Sequence, residues 1–229
     1  LTWIDNYDNC LWMRSWFCEN KNKKSSNFKL IPKIESTCLS KQHHFFLADG
    51  VIDLEKNIWI GLMEDEGGDH IVSYCLEKTD QNPKILYSND GFLGYLSLNS
   101  KDRKLAWIEW KKTSMPWDSN ELKLAQLDEK ENIIEIVTFN NEYFKFKGKI
   151  SFFNPTWSDK GELYVVEDTS GWWNITQIKT DNKSITISQN KWAIQAEIAF
   201  PQWVLGMSSF SCVGDDVVGA FTQDGVWNL

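Results

Sequence analysis

The residue types that support hydrolytic chemistry are present in this sequence, but their spacing does not assemble a nucleophile site. The nearest match to a serine nucleophile elbow, G-x-S-x-G, is residues 206–210 (Gly-Met-Ser-Ser-Phe), which lack the second glycine that the sharp strand-to-helix turn requires. In α/β-hydrolases the acid and the histidine follow the serine in the chain. Here no histidine follows it, since the three are His43, His44 and His70. We therefore predict that this chain has no catalytic residue of its own.

Acid pairs and metal ligands give no stronger candidates. Neighbouring acids such as Glu64 with Asp65, or Asp215 with Asp216, would point to opposite faces of a strand, and turns are commonly acidic, so we interpret them as turn residues. The cysteines are odd in number, contain no C-x-x-C, and have no metal-ligand spacing with the histidines. They are Cys10, Cys18, Cys38, Cys75 and Cys212. We predict no metal, no cofactor, no disulfide framework and a reducing cytoplasmic location.

Aromatic residues in polar, turn-like segments are the better candidates for binding. One tryptophan follows a proline in a polar segment, a tryptophan pair follows a glycine, and another follows a Pro-Gln pair. Exposed tryptophan often marks an interface, although packing within the core is the alternative. The candidates for a substrate or domain interface are Trp117, Asp118, Trp172, Trp173, Gln202 and Trp203.

The elements that would position these residues are strands in a loose repeat. A turn followed by an apolar or aromatic strand recurs about every 48–57 residues, a period typical of propeller blades. The aligned positions are Trp3, Trp59, Trp107, Tyr164 and Val218. The sequence therefore predicts an all-β protein, a partial β-propeller with four to five blades of four-stranded antiparallel sheet.

We expect residues 1–229 to form one such partial propeller domain. The predicted blades are residues 1–45, 46–92, 93–148, 149–197 and an incomplete 198–229. Two segments also carry helix formers. Residues 120–128 open on a cap-like Asn120, but Leu122 and Leu124 alternate there and the repeat favours a strand, whereas residues 192–200 are expected to form a short helical loop.

Composition excludes two classes of partner. The formal charge is −8 at pH 7 and the pI is about 5.0, so the chain would repel a phosphate backbone and we predict no nucleic-acid binding. No apolar run approaches the ~20 residues that cross a bilayer, so we predict no membrane insertion. The 42% hydrophobic content is enough for a substantial core.

Four segments, which occur in the same order as in the family, resemble the N-terminal propeller of the prolyl oligopeptidase family of serine peptidases, in its bacterial dipeptidyl or acylaminoacyl peptidase branch. They cover about four fifths of the chain. They are residues 46–53 (Phe-Leu-Ala-Asp-Gly-Val-Ile-Asp) with 59–61 and 64–65, residues 105–110 (Leu-Ala-Trp-Ile-Glu-Trp) with 115–118 (Met-Pro-Trp-Asp) and 121–122, residues 168–174 (Asp-Thr-Ser-Gly-Trp-Trp-Asn), and residues 201–204 (Pro-Gln-Trp-Val) with 206–208.

The resemblance implies a function that this chain would share with a second domain. Family members pair the propeller with a C-terminal α/β-hydrolase domain, whose Ser-Asp-His triad cleaves short peptides, while the propeller restricts access and helps bind substrate. The expected partners are that hydrolase domain, from the same or a neighbouring gene, and short peptides. Unpaired strand edges of a partial propeller also predict self-association. The alternative is a stand-alone scaffold that binds a protein or small-molecule partner.

Overall fold

The computed structural model describes residues 1–5, 8–19, 31–41, 44–181, 184–188, 192–214 and 216–229, and His43 and Asp215 lie outside these ranges. Within them the secondary structure consists of β-strands and turns without an α-helix. No helix that could span a membrane occurs in the described part of the chain. The strands form consecutive antiparallel sheets, which confirms the expected all-β partial propeller.

Four sheets follow one another along the chain. Sheet I contains β1 (Thr2–Ile4), β2 (Leu11–Glu19) and β3 (Ile31–Cys38). Sheet II contains β4 (Phe46–Asp53), β5 (Ile58–Asp65), β6 (Gly68–Cys75) and β7 (Lys84–Asn89). Sheet III contains β8 (Phe92–Asn99), β9 (Lys104–Trp110), β10 (Glu121–Leu127) and β11 (Ile133–Phe139). Sheet IV contains β12 (Phe152–Trp157), β13 (Leu163–Glu167), β14 (Asn174–Asp181) and β15 (Ser184–Ser188).

Two short hairpins follow sheet IV. They are β16 (Phe210–Val213) with β17 (Asp216–Gly219), and β18 (Phe221–Gln223) with β19 (Val226–Asn228). The first strands β4, β8, β12 and β16 contact one another in turn. In a propeller the first strands of successive blades face a common axis, so these contacts define the inner side of the arc.

The repeating aromatic positions form the core between the sheets. Trp59, Trp107 and Tyr164 each lie on the second strand of their sheet and are buried. Trp3, the equivalent residue of sheet I, lies on β1. Sheet I therefore corresponds to the second, third and fourth strands of a blade, and no described strand fills its first position.

A bulge interrupts the first strand of each four-stranded sheet. Asp49, Tyr95 and Asn154 have positive φ angles of 45°, 59° and 54°, and each lies within a register shift of β4, β8 or β12. These bulges connect neighbouring sheets. The Asp49 carboxylate accepts the N–H of Tyr95, and the Asn154 amide donates to the Phe210 carbonyl at 3.1 Å.

The two segments with helix formers both lack a helix. Residues 121–127 form β10, because Leu122, Leu124, Ala125 and Leu127 bury their side chains between sheets. The expected short helical loop at residues 192–200 is wrong. That segment is irregular, and Glu197 exchanges backbone hydrogen bonds with Thr222 of β18.

Candidate functional site

The six candidate residues lie in loops at one edge of sheets III and IV. Consecutive strands run antiparallel, so the turn after each second strand and the connection into each next first strand come to the same edge. The segments are residues 111–120 between β9 and β10, residues 168–173 between β13 and β14, and the described residues 192–209 before β16. We call these three segments together the loop face.

Two of the predicted tryptophans meet across this face. The rings of Trp117 and Trp203 have their centroids 4.4 Å apart at an interplanar angle of 53°. They come from segments 86 positions apart in the sequence numbering, one between β9 and β10 of sheet III and the other following sheet IV. The structure therefore brings together two candidates that the sequence could only place in separate loops.

The segment around Trp203 crosses from sheet IV back to sheet III. The Tyr95 hydroxyl on β8 donates to the Val204 carbonyl at 2.9 Å. Leu205 lies directly over Gly94, where an added Cβ would come within 2.9 Å of the leucine Cδ2. Glycine at position 94 thus leaves the space that this crossing occupies.

The crossing segment leaves an apolar surface open to solvent. Trp203 is 71% exposed, Val204 63% and Leu205 39%. Trp117 borders them through its ring contact with Trp203. We call these four residues the apolar patch. Large contiguous apolar surfaces on folded proteins commonly mark interaction sites.

A buried asparagine holds the loop that carries Trp117. Asn120 is 4% exposed, and its Nδ2 donates to the carbonyls of Pro116 at 2.7 Å and Phe152 at 2.9 Å. Its Oδ1 accepts the N–H of Phe152 at 2.7 Å, and the Ser151 hydroxyl also donates to the Pro116 carbonyl. The sequence reasoning treated Asn120 only as a potential helix cap and missed this role.

Gln202 holds the crossing segment in a similar way. It is 6% exposed, so it lies beneath the surface that its neighbour Trp203 presents. Its Nε2 donates to the Phe152 carbonyl at 3.0 Å, while Oε1 is buried without a hydrogen-bond partner in the described part of the chain. Gln202 therefore fixes the crossing segment beneath the apolar patch by its hydrogen bond to Phe152.

The remaining candidates differ in exposure. The ring of Trp173 packs edge-to-face on Phe153 at 6.1 Å, and the backbone N–H of Trp173 donates to a carboxylate oxygen of Glu197 at 2.9 Å. Trp172 is 39% exposed and follows Gly171 in a tight turn. Asp118 is exposed on the same loop as Trp117.

A polar cavity of about 750 Å³ opens beside the loop that carries Trp117. Glu109 and Glu121 face each other across β9 and β10, and the Lys123 ammonium lies 3.8 Å and 2.8 Å from their carboxylates. Although burial alone would raise the pKa of Glu121, the hydrogen bond and charge of Lys123 hold it below its ordinary value. The lining consists of Asn89, Asp90, Gly91, Glu109, Trp110, Lys111, Lys112, Thr113, Ser114, Ser119, Asn120, Glu121, Asn141 and Lys149.

A serine, a histidine and an aspartate meet in sheet II. His70 Nε2 lies 3.0 Å from the Asp65 carboxylate, and His70 Nδ1 lies 2.8 Å from the Ser88 hydroxyl. In serine peptidases Nε2 faces the serine instead, so the two ring nitrogens have the opposite roles here. The trio links the end of β5 to β6 and to the outer strand β7. Among the described residues no group of three or more histidine, cysteine or acidic side chains is arranged to hold a metal ion.

Comparisons with known proteins find likeness in structure only. No protein-family model and no curated protein sequence matches the chain. A crystal structure of puromycin hydrolase is 19% identical with a TM-score of 0.70, over 96% of this chain and 32% of that one. A puromycin-hydrolyzing peptidase of Mycobacterium tuberculosis is 22% identical with a TM-score of 0.72, with the same coverage. A puromycin hydrolase mutant complexed with PGG is 18% identical with a TM-score of 0.70, over 99% of this chain and 35% of that one.

The chain thus spans about a third of the length of the solved structures that it matches. At this level of identity the likeness concerns the fold. This fold is the propeller fold that the four sequence segments led us to expect. The chain has the fold of the corresponding third of puromycin hydrolase, a partial β-propeller of four-stranded antiparallel sheets.

Proposed function

We propose that this chain is the non-catalytic propeller portion of a serine peptidase of the prolyl oligopeptidase family, in the bacterial dipeptidyl or acylaminoacyl branch. In this role the chain restricts access to an α/β-hydrolase domain and helps bind the short peptides that this domain cleaves. The four sequence segments, which occur in the family's order, support the proposal, and so does the fold shared with a puromycin hydrolase and with a puromycin-hydrolyzing peptidase.

The observation that carries the proposal is the apolar patch on the loop face. Buried Asn120 and Gln202 fix the two loops that carry its tryptophans, because both amides donate to the Phe152 carbonyl. Binding to a preordered surface avoids the entropy cost of fixing side chains at an interface. Rigid, exposed tryptophan is also the residue most often found to dominate binding energy. The hydrolase domain, with the peptide between, is the partner that we assign to this surface.

A second candidate function rests on the polar cavity. Acidic Glu109 and Glu121 line it together with basic Lys111, Lys112 and Lys149. A cavity of about 750 Å³ with mixed charge is suited to a small polar ligand. This favours the alternative of a stand-alone scaffold that binds a small molecule.

Three expectations about context stay predictions. They are the single domain with the blade boundaries given above, the reducing cytoplasmic location, and self-association of the isolated chain. For self-association, β1 pairs on one side only among the described strands, and Val226 and Trp227 of β19 are 60% and 52% exposed. Sedimentation of the 229-residue chain tests this, and a single monomeric species at all concentrations would contradict it.

Binding and activity assays test the main proposal. The chain alone is assayed with chromogenic aminoacyl and acyl-peptide substrates and with a serine-directed probe, and we expect neither turnover nor labelling. Binding to the α/β-hydrolase domain of the same or a neighbouring gene is then measured for the wild type, Trp203→Ala and the control Leu54→Ala. Leu54 is 76% exposed in the turn between β4 and β5, at the opposite edge of the sheets.

The two variants should differ clearly. Loss of a central tryptophan typically costs about 2 kcal/mol or more, so Trp203→Ala should weaken binding roughly 30-fold. Leu54→Ala should bind as the wild type does. Equal binding by all three proteins would refute the assignment of the apolar patch, and saturable binding of a small polar ligand without any hydrolase partner would favour the scaffold.

A further inference from the structure

The start of β2 and the end of β3 bring Cys10 and Cys38 together in sheet I. Cys38 is the last residue of β3 and pairs with Trp12. Cys10 precedes Trp12 by two residues, and side chains two residues apart in an extended chain lie on the same face. The two cysteines are therefore diagonal neighbours across the strand pair.

The hydrogen bonds of the two thiols place them in one small cluster. Cys38 Sγ donates to the Ser40 carbonyl at 3.2 Å, and Cys10 Sγ lies 3.6 Å from the carbonyl of the next residue, Lys41. Cys10 Sγ also lies 3.4 Å from the Asp8 carbonyl, and the Cys10 thiol is among the causes that raise the pKa of Cys38. Cys10 is only 3% exposed, so its thiol lies beneath the surface.

The backbone around the pair is fixed on one side and adaptable on the other. The Leu39 N–H donates to the Leu11 carbonyl at 2.8 Å, and the Leu11 N–H donates to the Ser40 hydroxyl at 2.9 Å. Cys10 lies just before β2 and follows Asn9, whose φ is 57°, so it belongs to a turn. A disulfide requires its two sulfurs to approach to about 2 Å. The turn, in which the Cys10 N–H donates to the Asp8 carboxylate at 2.9 Å and the Cys10 carbonyl accepts the Asp5 N–H at 3.1 Å, has to shift for this, while the β2–β3 ladder stays paired.

We propose that Cys10 and Cys38 are a modification site at which mild oxidation forms a disulfide within sheet I. Glutathione disulfide is a sufficient oxidant. The thiolate of one cysteine attacks it and releases one glutathione, and the thiolate of the other then displaces the second glutathione from the mixed disulfide. The two thiol protons pass to the two departing glutathione thiolates, one S–S bond forms in the protein, and one glutathione disulfide is reduced to two glutathione molecules.

The bond would connect two strands of the first sheet in the chain. Sheet I has three described strands where sheets II, III and IV have four. The link would close the β2–β3 hairpin covalently, and the site faces sheet II. Burial raises the pKa of the Tyr74 phenol on β6, and the two thiols beside it raise it further. Leu11 and Leu39, the neighbours of the two cysteines, pack with Tyr74 in one buried cluster, so the link would lie where sheet I packs on sheet II.

The reactivity of the pair should depend steeply on pH. Burial raises the pKa of the Cys38 thiol to about 11, and the neighbouring Cys10 thiol contributes to the rise. Because only the thiolate attacks a disulfide, cross-linking should be slow near pH 7 and faster at pH 9.

Peptide mapping of the folded chain tests the proposal. The wild type is incubated with glutathione disulfide at pH 9, alkylated and cleaved with trypsin without reduction. Cleavage after Arg14, Lys33 and Lys41 places Cys10 in peptide 1–14 and Cys38 in peptide 34–41, while Cys18 lies in peptide 15–21. We expect a linked 1–14/34–41 species, a protein mass about 2 Da lower, and a melting temperature roughly 5–10 °C higher than that of the reduced protein.

Two variants make the result specific. Cys75→Ser should give the same linked peptides, whereas Cys38→Ser should give none and should show no thermal shift on oxidation. If glutathione adducts accumulate on Cys10 and Cys38 without the link, or if the linked peptides form only in urea, the proposal is wrong. None of these readouts requires a hydrolase partner, so the outcome is independent of the proposed function.

Discussion

Replacing Asn120 with alanine would remove the side chain that fixes the Trp117 loop. The amide makes three short hydrogen bonds. Its Nδ2 donates to the carbonyls of Pro116 and Phe152, and its Oδ1 accepts the N–H of Phe152. The residue is 4% exposed, so water does not replace these bonds freely in the variant.

The expected cost follows from which groups lose their partners. The Pro116 carbonyl keeps the Ser151 hydroxyl, and the Phe152 carbonyl keeps the Gln202 amide. The Phe152 N–H alone loses its acceptor. Each of the three hydrogen bonds contributes about 1 kcal/mol, and one of them leaves a buried donor unpaired when it is lost. The free energy of unfolding should therefore fall by about 3 kcal/mol. For a chain of this size that corresponds to a melting temperature lower by roughly 6–12 °C.

Urea unfolding followed by circular dichroism measures this change. Asn141→Ala is the matched control, because Asn141 is an exposed asparagine that lines the same polar cavity. The control should change stability by less than about 0.5 kcal/mol. A loss below about 1 kcal/mol for Asn120→Ala would refute the argument that this amide holds the loop, because one net hydrogen bond would then account for the whole effect.

Two further predictions concern sheet II. Gly50→Ala should destabilise the protein by about 3 kcal/mol or prevent folding, because an added Cβ would lie 2.1 Å from the buried Trp59 ring; urea unfolding measures this, and near-wild-type stability would contradict it. The His70 hydrogen bond holds the pKa of Asp65 below its ordinary value. A lowered carboxyl pKa stabilises the folded state above the unfolded-state pKa, so the wild type should lose stability relative to Asp65→Asn as the pH falls from about 5 to 3. Parallel pH profiles of the two proteins would show that the pKa of Asp65 is not lowered in the folded state.

The strands of the central sheets could be predicted because their signal is local and repeated. Trp59, Trp107 and Tyr164 recur at blade spacing, and each lies on a buried second strand. Alternating Leu122 and Leu124 predicted a strand against the helix propensity of their neighbours. Sheet burial outweighs such propensity, which amounts to less than about 1 kcal/mol per residue.

Residues 192–200 show where the same reasoning fails. Ala196, Ile198 and Ala199 are helix-compatible, but all three are buried. Glu197, between them, forms a backbone bridge with Thr222 of β18. The segment thus gains its hydrogen bonds from a distant strand, and no local pattern indicates that partner.

The candidate site was predictable as a set of residue types, while its arrangement was not. Tryptophans next to Pro116 and Gly171 indicated loops, because these residues favour turns. The crossing of the Trp203 segment over β8 depends on the Tyr95 hydroxyl, which binds a carbonyl 109 residues away. The bulges in the first strands carry Asp49, Tyr95 and Asn154, and these three residue types share no sequence signature.

The apolar patch depends on one peptide unit at the start of β12. The Phe152 carbonyl accepts both the Asn120 amide at 2.9 Å and the Gln202 amide at 3.0 Å. One of these amides belongs to the loop of Trp117 and the other to the segment of Trp203, so the two rings are positioned from the same atom. A carbonyl has two lone pairs and can hold both donors at once without either loop touching the other through its backbone. The loops can therefore differ in sequence and length while the two tryptophans keep their contact, provided that an amide donor remains at positions 120 and 202.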